Sequence, residues 1–414
     1  MDKQFENSKI KRHVRAISSK SEAHRALICS ALADAPCFIE CNDTNEDINA
    51  TVACLCALGA VIERRQDGFA VTPIESVTHN AALDCNESGS TLRFLLPLAA
   101  SLGADCSFTM RGRLAQRPLS PLYELLEQNG VTLSTQGSNP LTINGRLGAG
   151  NYSLAANVSS QYISGILFAL SIADGESTVE LCGKIESAPY IQMTVNTLLA
   201  FGADVKFDNS TNTFKVKGKS RLISPSKTTV GGDWSNAAFL LSAGAIGDQS
   251  ITVSGLDTKS AQGDRAILDV LCRMGARIEH DGDSITVYPS ELFGTEIDAA
   301  DIPDLVPILA VVASVASGKT VIKGAARLRL KESDRIESVC ACLSALGADI
   351  IATDDGMIIH GKKRLTGGSV DSYNDHRIAM SAAIASLVCD GTVTVSRFEA
   401  INKSYPTFPE IFDN

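Results

Sequence analysis

Lys331-Glu332-Ser333-Asp334-Arg335 places two cations, two carboxylates and a hydroxyl in five consecutive residues. The stretch follows the alternating run Thr320-Val321-Ile322-Lys323. It precedes an apolar helical pattern at Ile336, Val339, Cys340, Leu343 and Leu346. A strand-to-helix junction receives anions well, because free amide N–H groups and the positive end of the helix dipole point there. The same composition also suits a solvated, capped helix start. What favours ligand chemistry is that motifs of this kind recur along the chain.

Ser18-Ser19-Lys20-Ser21-Glu22-Ala23-His24-Arg25 precedes an apolar helix. Ser21 and Arg25 share one helical face, so Lys20, Ser21 and Arg25 can set two charges and a hydroxyl around an anion. A plain N-cap with a polar first turn is the other reading. Glu87-Ser88-Gly89-Ser90-Thr91-Leu92-Arg93 opens the next helix, where Gly89 between hydroxyls lets a phosphate approach the backbone. Capping alone is again the alternative. Arg111-Gly112-Arg113-Leu114-Ala115-Gln116-Arg117-Pro118 holds three Arg in seven residues, ahead of a Pro-started helix. Three guanidiniums on one connection repel each other unless an anion is near.

Ser159-Ser160-Gln161 and Ser187-Ala188-Pro189-Tyr190 stand immediately before helices and by themselves read as ordinary caps. Asp304, in Asp301-Ile302-Pro303-Asp304-Leu305, is expected at the buried mouth of an apolar helix. Desolvation there raises a carboxylate's pKa and suits it to general-base work. Asn374-Asp375-His376-Arg377 precedes the helix IAMSAAIASLV and suggests an oxyanion contact with an oriented imidazole. Lys403 lies in Asn402-Lys403-Ser404-Tyr405-Pro406, near the C-terminus.

Two tempting signals fail on context. Residues 313–320 (ASVASGKT) fit the loose phosphate-loop pattern, but that loop needs a strand before it and a helix after it. Here an apolar helix precedes and the strand TVIKG follows, so the motif reads as a helix stop. The six histidines show no HxH or HxxxH spacing and the twelve cysteines form no CxxC pair, so no metal site is expected.

The elements that must position these residues repeat. Gly59, Gly130, Gly202, Gly275 and Gly347 each end a helix and precede a strand, at intervals of 71, 72, 73 and 72 residues. Gly103, Gly175, Gly247, Gly318 and Gly391 form a second series, at 72, 72, 71 and 73. Asp67-Gly68, Asp281-Gly282 and Asp355-Gly356 carry hairpin chemistry between alternating strands. The unit is therefore helix, strand, helix, strand, turn, strand. Six units fit the chain if a short N-terminal strand completes the last one. Three units make a plausible domain, which places one domain at residues 1–17 with 229–414 and the other at 18–228. A cleft between two such domains is where a site is expected.

The whole chain has 414 residues, 44% hydrophobic and 20% charged, enough for packed cores. A net charge of −10 without a long basic run argues against nucleic-acid or anionic-membrane partners. The polar N-terminus MDKQFENSKI gives no signal-peptide pattern. The longest apolar run, Leu305 to Ala316, is too short to span a bilayer. A cytoplasmic protein with reduced, buried cysteines is expected. Anion-type motifs at so many helix starts point to two phosphorylated or carboxylated substrates, held without metal or nucleotide.

In this order the motifs resemble the 5-enolpyruvylshikimate-3-phosphate synthase family of enolpyruvyl transferases, over essentially the whole chain. The resemblance rests on Lys20-Ser21-x-x-x-Arg25, Ser-Gly-Ser-x-x-Arg93, Arg117-Pro118, Ser159-Ser160-Gln161, Ser187-x-x-Tyr190, Ile-Pro-Asp304, Lys331-Glu332-Ser-Asp-Arg335, Asp-His376-Arg377 and Lys403. It implies an α/β fold, a two-domain inverse α/β barrel of six βαβαββ repeats of about 72 residues, three per domain. It implies transfer of the enolpyruvyl group of phosphoenolpyruvate to the 5-hydroxyl of shikimate 3-phosphate, by a monomer without cofactor.

By the same resemblance, Ser21, Arg25, Ser159, Ser160, Gln161, Ser187 and Lys331 would hold shikimate 3-phosphate, with Tyr190 beside them. Gly89, Arg117, Arg335, Arg377 and Lys403 would hold phosphoenolpyruvate, with Lys20 and Gln161 touching both. Asp304 would take the proton of the attacking hydroxyl, and Glu332 would protonate the methylene carbon. Glu87 and Arg327 stand where the family frequently has Asn, and no binding role is carried onto either. The alternative within the same chemistry is UDP-N-acetylglucosamine enolpyruvyl transferase. That family's loop carries a Cys where this chain has Gly112, and it favours Lys-Asn where this chain has Lys20-Ser21. A non-catalytic phosphoester-binding paralogue is the third reading.

Overall fold

The Asp-Gly signals sit at strand reversals. In the computed structural model of the chain, which describes residues 1–6 and 9–413, Val61–Arg65 returns as Gly68–Thr72, Arg277–Asp281 as Ser284–Tyr288, and Asp349–Thr353 as Gly356–His360. All three pairs are antiparallel. Alternation decides which face is buried. Ile350 pairs with Ile359 inside, whereas the next residue, Ile351, is 60% exposed.

The chain divides into two compact units, Met1–Ile17 with Gly231–Asn414, and Ser18–Val230. The return to the first unit falls at Gly231, two residues after the expected position 229. Lys227–Thr229 pairs in parallel with Phe38–Glu40, and the Val230 N–H donates to the Glu40 carbonyl at 2.9 Å, which keeps this segment in the second unit.

Three four-stranded sheets build the Ser18–Val230 unit. One runs Asn151–Ala155, Gly175–Cys182, Thr213–Gly218, Asp204–Asp208, with the first pair parallel and the others antiparallel. The other two share this order. In the first unit, two sheets follow the same order, beginning at His13–Arg15 and Glu296–Asp298. A three-stranded sheet joins Lys3–Phe5, Val393–Ser396 and Gly368–Asp371. Each unit buries its own hydrophobic core.

The helices between strands are apolar nearly all round, as a buried helix requires. Within Val306–Val315 only Val315 reaches solvent appreciably. Among the described residues, no helix is long and apolar enough to cross a membrane. Gly59, Gly130, Gly202, Gly275 and Gly347 all have positive φ just past helix ends, the left-handed conformation that stops a helix without a Cβ clash. Gly165 serves a different purpose. A Cβ there would lie 2.3 Å from the Arg93 carbonyl oxygen, so glycine lets helix Ser160–Ile172 cross helix Gly89–Leu102 closely. That crossing sets where Arg93 and Gln161 meet.

Candidate active site

In the first unit, Asp304 lies in the 3₁₀ turn Pro303–Leu305 that opens helix Val306–Val315. Lys331 and Glu332 do not join a strand directly to a helix, as the sequence suggested. A 3₁₀ helix, Ala326–Leu330, intervenes after strand Lys319–Lys323. The next helix, Arg335–Ala345, is capped by Asp334, whose carboxylate accepts from the Glu337 N–H at 3.2 Å. This cap puts Arg335 in the first turn, where its side chain is 1% exposed.

Arg335 gathers three carboxylates. Nε donates to Asp375 Oδ2 at 2.8 Å, Nη1 to Asp304 Oδ1 at 2.7 Å and Nη2 to Glu332 Oε2 at 2.7 Å. Asp375 caps helix His376–Ala385 by accepting from the Arg377 N–H at 3.0 Å, and it also receives Ser333 Oγ at 3.1 Å. Arg377 then reaches Asp304 twice, Nη1 to the carbonyl and Nη2 to Oδ2, both at 3.1 Å. Lys331 Nζ stands 3.7 Å from Asp304 Oδ1. Lys403, buried, donates to the Asn374 carbonyl at 2.6 Å, next to Asp375. Asp304, Lys331, Glu332, Arg335 and Arg377 thus form one network, with Lys403 at its edge.

The charge state of Asp304 differs from the sequence expectation. Burial does push its pKa up, but Arg377, Lys331 and Arg335 outweigh burial and hold it well below the usual carboxylate range. A carboxyl whose pKa is raised is Asp264, brought up to about 6 by burial and by the Asp304 charge. Ser235 Oγ donates to Asp264 Oδ2. Burial disfavours the Arg335 cation, yet Asp375, Glu332 and Asp304 reverse that and raise its pKa. His376 is buried with Nδ1 3.9 Å from Asp375 Oδ1, beyond hydrogen-bond reach, so Asp375 does not orient its imidazole.

In the second unit, the Ser19 hydroxyl caps helix Lys20–Ala31. Lys20 Nζ donates to Asp47 Oδ2 at 2.7 Å. Arg25 is buried, with Nε on Thr194 Oγ1 at 2.8 Å, Nη1 on the Ser21 carbonyl at 2.7 Å and Nη2 on the Tyr190 carbonyl at 2.8 Å. Burial lowers its pKa to about 10, against the stabilising influence of Tyr190 and Glu22. Ser187 takes a left-handed φ of 54° at the start of helix Ala188–Ala200, and its carbonyl receives the Tyr190 N–H at 3.0 Å. Ser21, Arg25, Ser187 and Tyr190 are therefore neighbours.

Ser159 caps helix Ser160–Ile172, with Ser160 and Gln161 in its first turn. Gln161 accepts from Arg93 Nη1 at 2.9 Å and donates to Ser90 Oγ at 2.9 Å. Gly89 sits directly under two guanidiniums. A Cβ there would lie 2.6 Å from Arg93 Nη1 and 2.9 Å from Arg117 Nη1. Of the three arginines on the 111–117 connection only Arg117 is buried, while Arg111 pairs with Asp84 at the surface, at 2.6 Å. The helix after this connection starts at Leu122, following Pro121, and a 3₁₀ turn Leu114–Gln116 occupies the connection itself.

Sequence reasoning left out Asp264 as well as Asp47 and Thr194, which hold Lys20 and Arg25, and it quoted Asp375 beside His376 without seeing that it holds Arg335. It quoted Arg93 in a motif without giving it a place in the site. Residues 313–320 run from the last turn of helix Val306–Val315 into strand Lys319–Lys323, the reverse of a phosphate loop. Among the described residues no group of three His, Cys, Asp or Glu side chains is arranged to hold a metal ion.

Known proteins align with this chain over nearly its whole length. The family model for EPSP synthase (3-phosphoshikimate 1-carboxyvinyltransferase) matches residues 6–412. The 3-phosphoshikimate 1-carboxyvinyltransferase of Clostridium kluyveri is 42% identical over 407 residues, covering 98% of this chain and 95% of that protein. The protein of the same description from Clostridioides difficile is 39% identical over 414 residues, covering 97% and 94%. The 2.37 Å structure of EPSP synthase from Acinetobacter baumannii superposes with a TM-score of 0.80 at 28% identity, over 98% of this chain and 96% of that one. The enolpyruvyl transferase NikO from Streptomyces tendae shares the mixed α/β fold, with a TM-score of 0.78 at 21% identity over 97% and 94%. Sequence similarity of this extent, on a fold that collects carboxylates and cations at helix starts, means that the chain belongs to the EPSP synthase (3-phosphoshikimate 1-carboxyvinyltransferase) family.

Proposed function

We propose that the chain transfers the enolpyruvyl group of phosphoenolpyruvate to the 5-hydroxyl of shikimate 3-phosphate, releasing phosphate. Family membership supports the reaction. The observation that carries it here is one buried guanidinium, Arg335, holding two carboxylates of different duty, Asp304 and Glu332, each at 2.7 Å. An addition–elimination needs a base for the attacking hydroxyl and an acid for the methylene carbon.

Asp304 is the base. Its three cations keep it ionised although they weaken it as a base, and they neutralise charge on the substrates as well. Glu332 is the acid that protonates the methylene carbon and later removes that proton as phosphate leaves. Lys20, Ser21, Arg25, Ser159, Ser160, Gln161, Ser187, Tyr190, Asp304 and Lys331 bind shikimate 3-phosphate. Lys20, Gly89, Arg117, Gln161, Arg335, Arg377 and Lys403 bind phosphoenolpyruvate. Holding two anions in register supplies much of the rate enhancement by proximity. We assign the fold in finer detail as an inverse α/β barrel of six βαβαββ repeats, three in each unit, and the protein as a cytoplasmic monomer.

The test is phosphate release from purified protein with phosphoenolpyruvate, adding either shikimate 3-phosphate or UDP-N-acetylglucosamine, with Glu332→Gln as control. Release only with shikimate 3-phosphate, lost in Glu332→Gln, is the expected result. Release with the sugar nucleotide would move the assignment to the sister activity. Binding of shikimate 3-phosphate without turnover would leave a binding protein.

A further inference from the structure

Lys20 and Gly89 are both assigned to phosphoenolpyruvate, yet they open different helices, Lys20–Ala31 and Gly89–Leu102. Their separation must be fixed by packing or by directional bonds between helices. Helix Glu46–Ala57 bonds to both. Four polar side chains run through the core here. His24 Nδ1 lies 2.7 Å from Thr51 Oγ1, and Thr51 Oγ1 lies 2.6 Å from Thr91 Oγ1. Thr91 Oγ1 donates to Ser88 Oγ at 2.7 Å. His24 is 1% exposed and the other three are 0% exposed.

Polar groups buried in an apolar core are costly unless each is hydrogen-bonded. These pair in one direction. Burial, then the charges of Lys20 and Arg25, holds the His24 pKa well below its ordinary value, so the ring is neutral with one N–H to give. Nδ1–H donates to Thr51, Thr51 to Thr91, and Thr91 to Ser88. The nitrogen left without a partner, Nε2, is then an acceptor rather than an N–H. Ser88 Oγ also receives the Thr91 N–H at 3.2 Å, which caps the helix.

Spacing gives this chain of bonds its role. His24 is four residues after Lys20, and Thr51 is four after Asp47, one helical turn in each case. Lys20–Asp47 and His24–Thr51 are therefore two successive rungs between the same pair of helices, each at 2.7 Å. Thr51 extends the second rung to Thr91, and Thr91 reaches Ser88, the residue before Gly89. Apolar contacts alone hold helices together without selecting one register, whereas directional bonds select one. We propose that His24, Thr51, Thr91 and Ser88 are positioning residues that set Lys20 against the backbone at Gly89, and so shape the phosphoenolpyruvate subsite. The inference rests on the reaction proposed above. The four residues are closed to solvent and act through Lys20 and Gly89. Arg25, assigned to shikimate 3-phosphate, is anchored independently on Thr194 and two carbonyls.

The test is steady-state kinetics on Thr51→Val, which keeps the shape of the side chain and removes the central hydroxyl, beside Thr51→Ser, which retains it. Each substrate is varied with the other saturating, and melting temperatures are measured on the same samples. Misplacing a binding group by about 1 Å costs on the order of 100-fold, so a loosened register is expected to raise KM for phosphoenolpyruvate about 10-fold in Thr51→Val, with KM for shikimate 3-phosphate changed by less than about twofold. Thr51→Ser is expected to recover most of the loss. An unchanged KM for phosphoenolpyruvate with a lower melting temperature overturns the proposal, because the chain of bonds would then serve packing alone. Equal rises in both KM values overturn it, since the disturbance would not be confined to one subsite. Thr51→Ser as impaired as Thr51→Val overturns it, since the hydroxyl would not be the cause. If Thr51→Val does not fold, His24→Leu is compared with His24→Asn, which keeps an amide N–H near the place of Nδ1, and the same outcomes decide. Failure of the underlying reaction is distinguishable. Wild type then releases no phosphate with shikimate 3-phosphate, whereas failure of this proposal alone leaves wild-type turnover intact.

Discussion

Arg335 Nε donates to Asp375 Oδ2 at 2.8 Å, with both side chains closed to solvent. The same carboxylate caps the helix that carries Arg377, so one buried anion orients two cations of the cluster. Removing one member of a buried ion pair leaves an uncompensated charge and costs about 3–5 kcal/mol. Asp375→Ala is expected to lose stability of that order in urea unfolding. Asp375→Asn, which keeps a cap acceptor, should lose less. Wild-type stability in Asp375→Ala would show that Arg335 is anchored elsewhere.

The two carboxyls Asp304 and Asp264 bring opposite pH dependences. Asp304 is held below its unfolded value of about 3.9, so its contribution is present above that pH and is lost as pH falls. Asp264 stands at about 6 in the folded protein, so the folded state binds more protons across the interval up to that value. Stability from this group therefore falls as pH rises through the interval. Asp264→Asn is expected to flatten that fall and to melt higher than wild type at neutral pH. Thermal melts at mildly acidic and neutral pH decide it. A lower melting temperature at neutral pH would show that the anion of Asp264 is stabilising.

Gly89 gives a steric test of the phosphoenolpyruvate assignment. The Cβ of Gly89→Ala would stand 2.6 Å from Arg93 Nη1 and 2.9 Å from Arg117 Nη1, so both guanidiniums must move. Displacing a positioning group by about 1 Å costs on the order of 100-fold in rate. The expected loss is about 10- to 100-fold in kcat/KM for phosphoenolpyruvate, with little change in KM for shikimate 3-phosphate and little loss of stability. Unchanged steady-state kinetics would remove Gly89 and Arg117 from the site.

Thr194 is shared by Arg25 Nε at 2.8 Å and Ser164 Oγ at 2.7 Å, all inside the core of the second unit. Thr194→Val keeps the shape and orphans both partners, which costs about 1–3 kcal/mol for an unsatisfied buried group. Chemical denaturation should show that loss. Steady-state kinetics should show a higher KM for shikimate 3-phosphate, because Arg25 loses one of its three anchors. Lower stability with an unaltered KM would mean that Arg25 has no part in binding.

The local features of this protein were legible in its residues. Helix stops at Gly59 or Gly347 and reversals at Asp281-Gly282 depend on backbone conformations that few residue types favour, so a residue type at a fixed interval announces them. The helix-start motifs were legible for the same reason, since a cap is made within three residues of itself. Partnership was not. Arg335 and Asp375 are 40 residues apart, Arg93 and Gln161 are 68 apart, and Arg377 and Asp304 are 73 apart. The sequence placed Asp304 at a helix mouth and implied a raised pKa from burial. Tertiary structure reversed the sign by bringing three cations to it. Coulomb energy depends on separation in space and on the local dielectric, and neither can be read from distance along the chain.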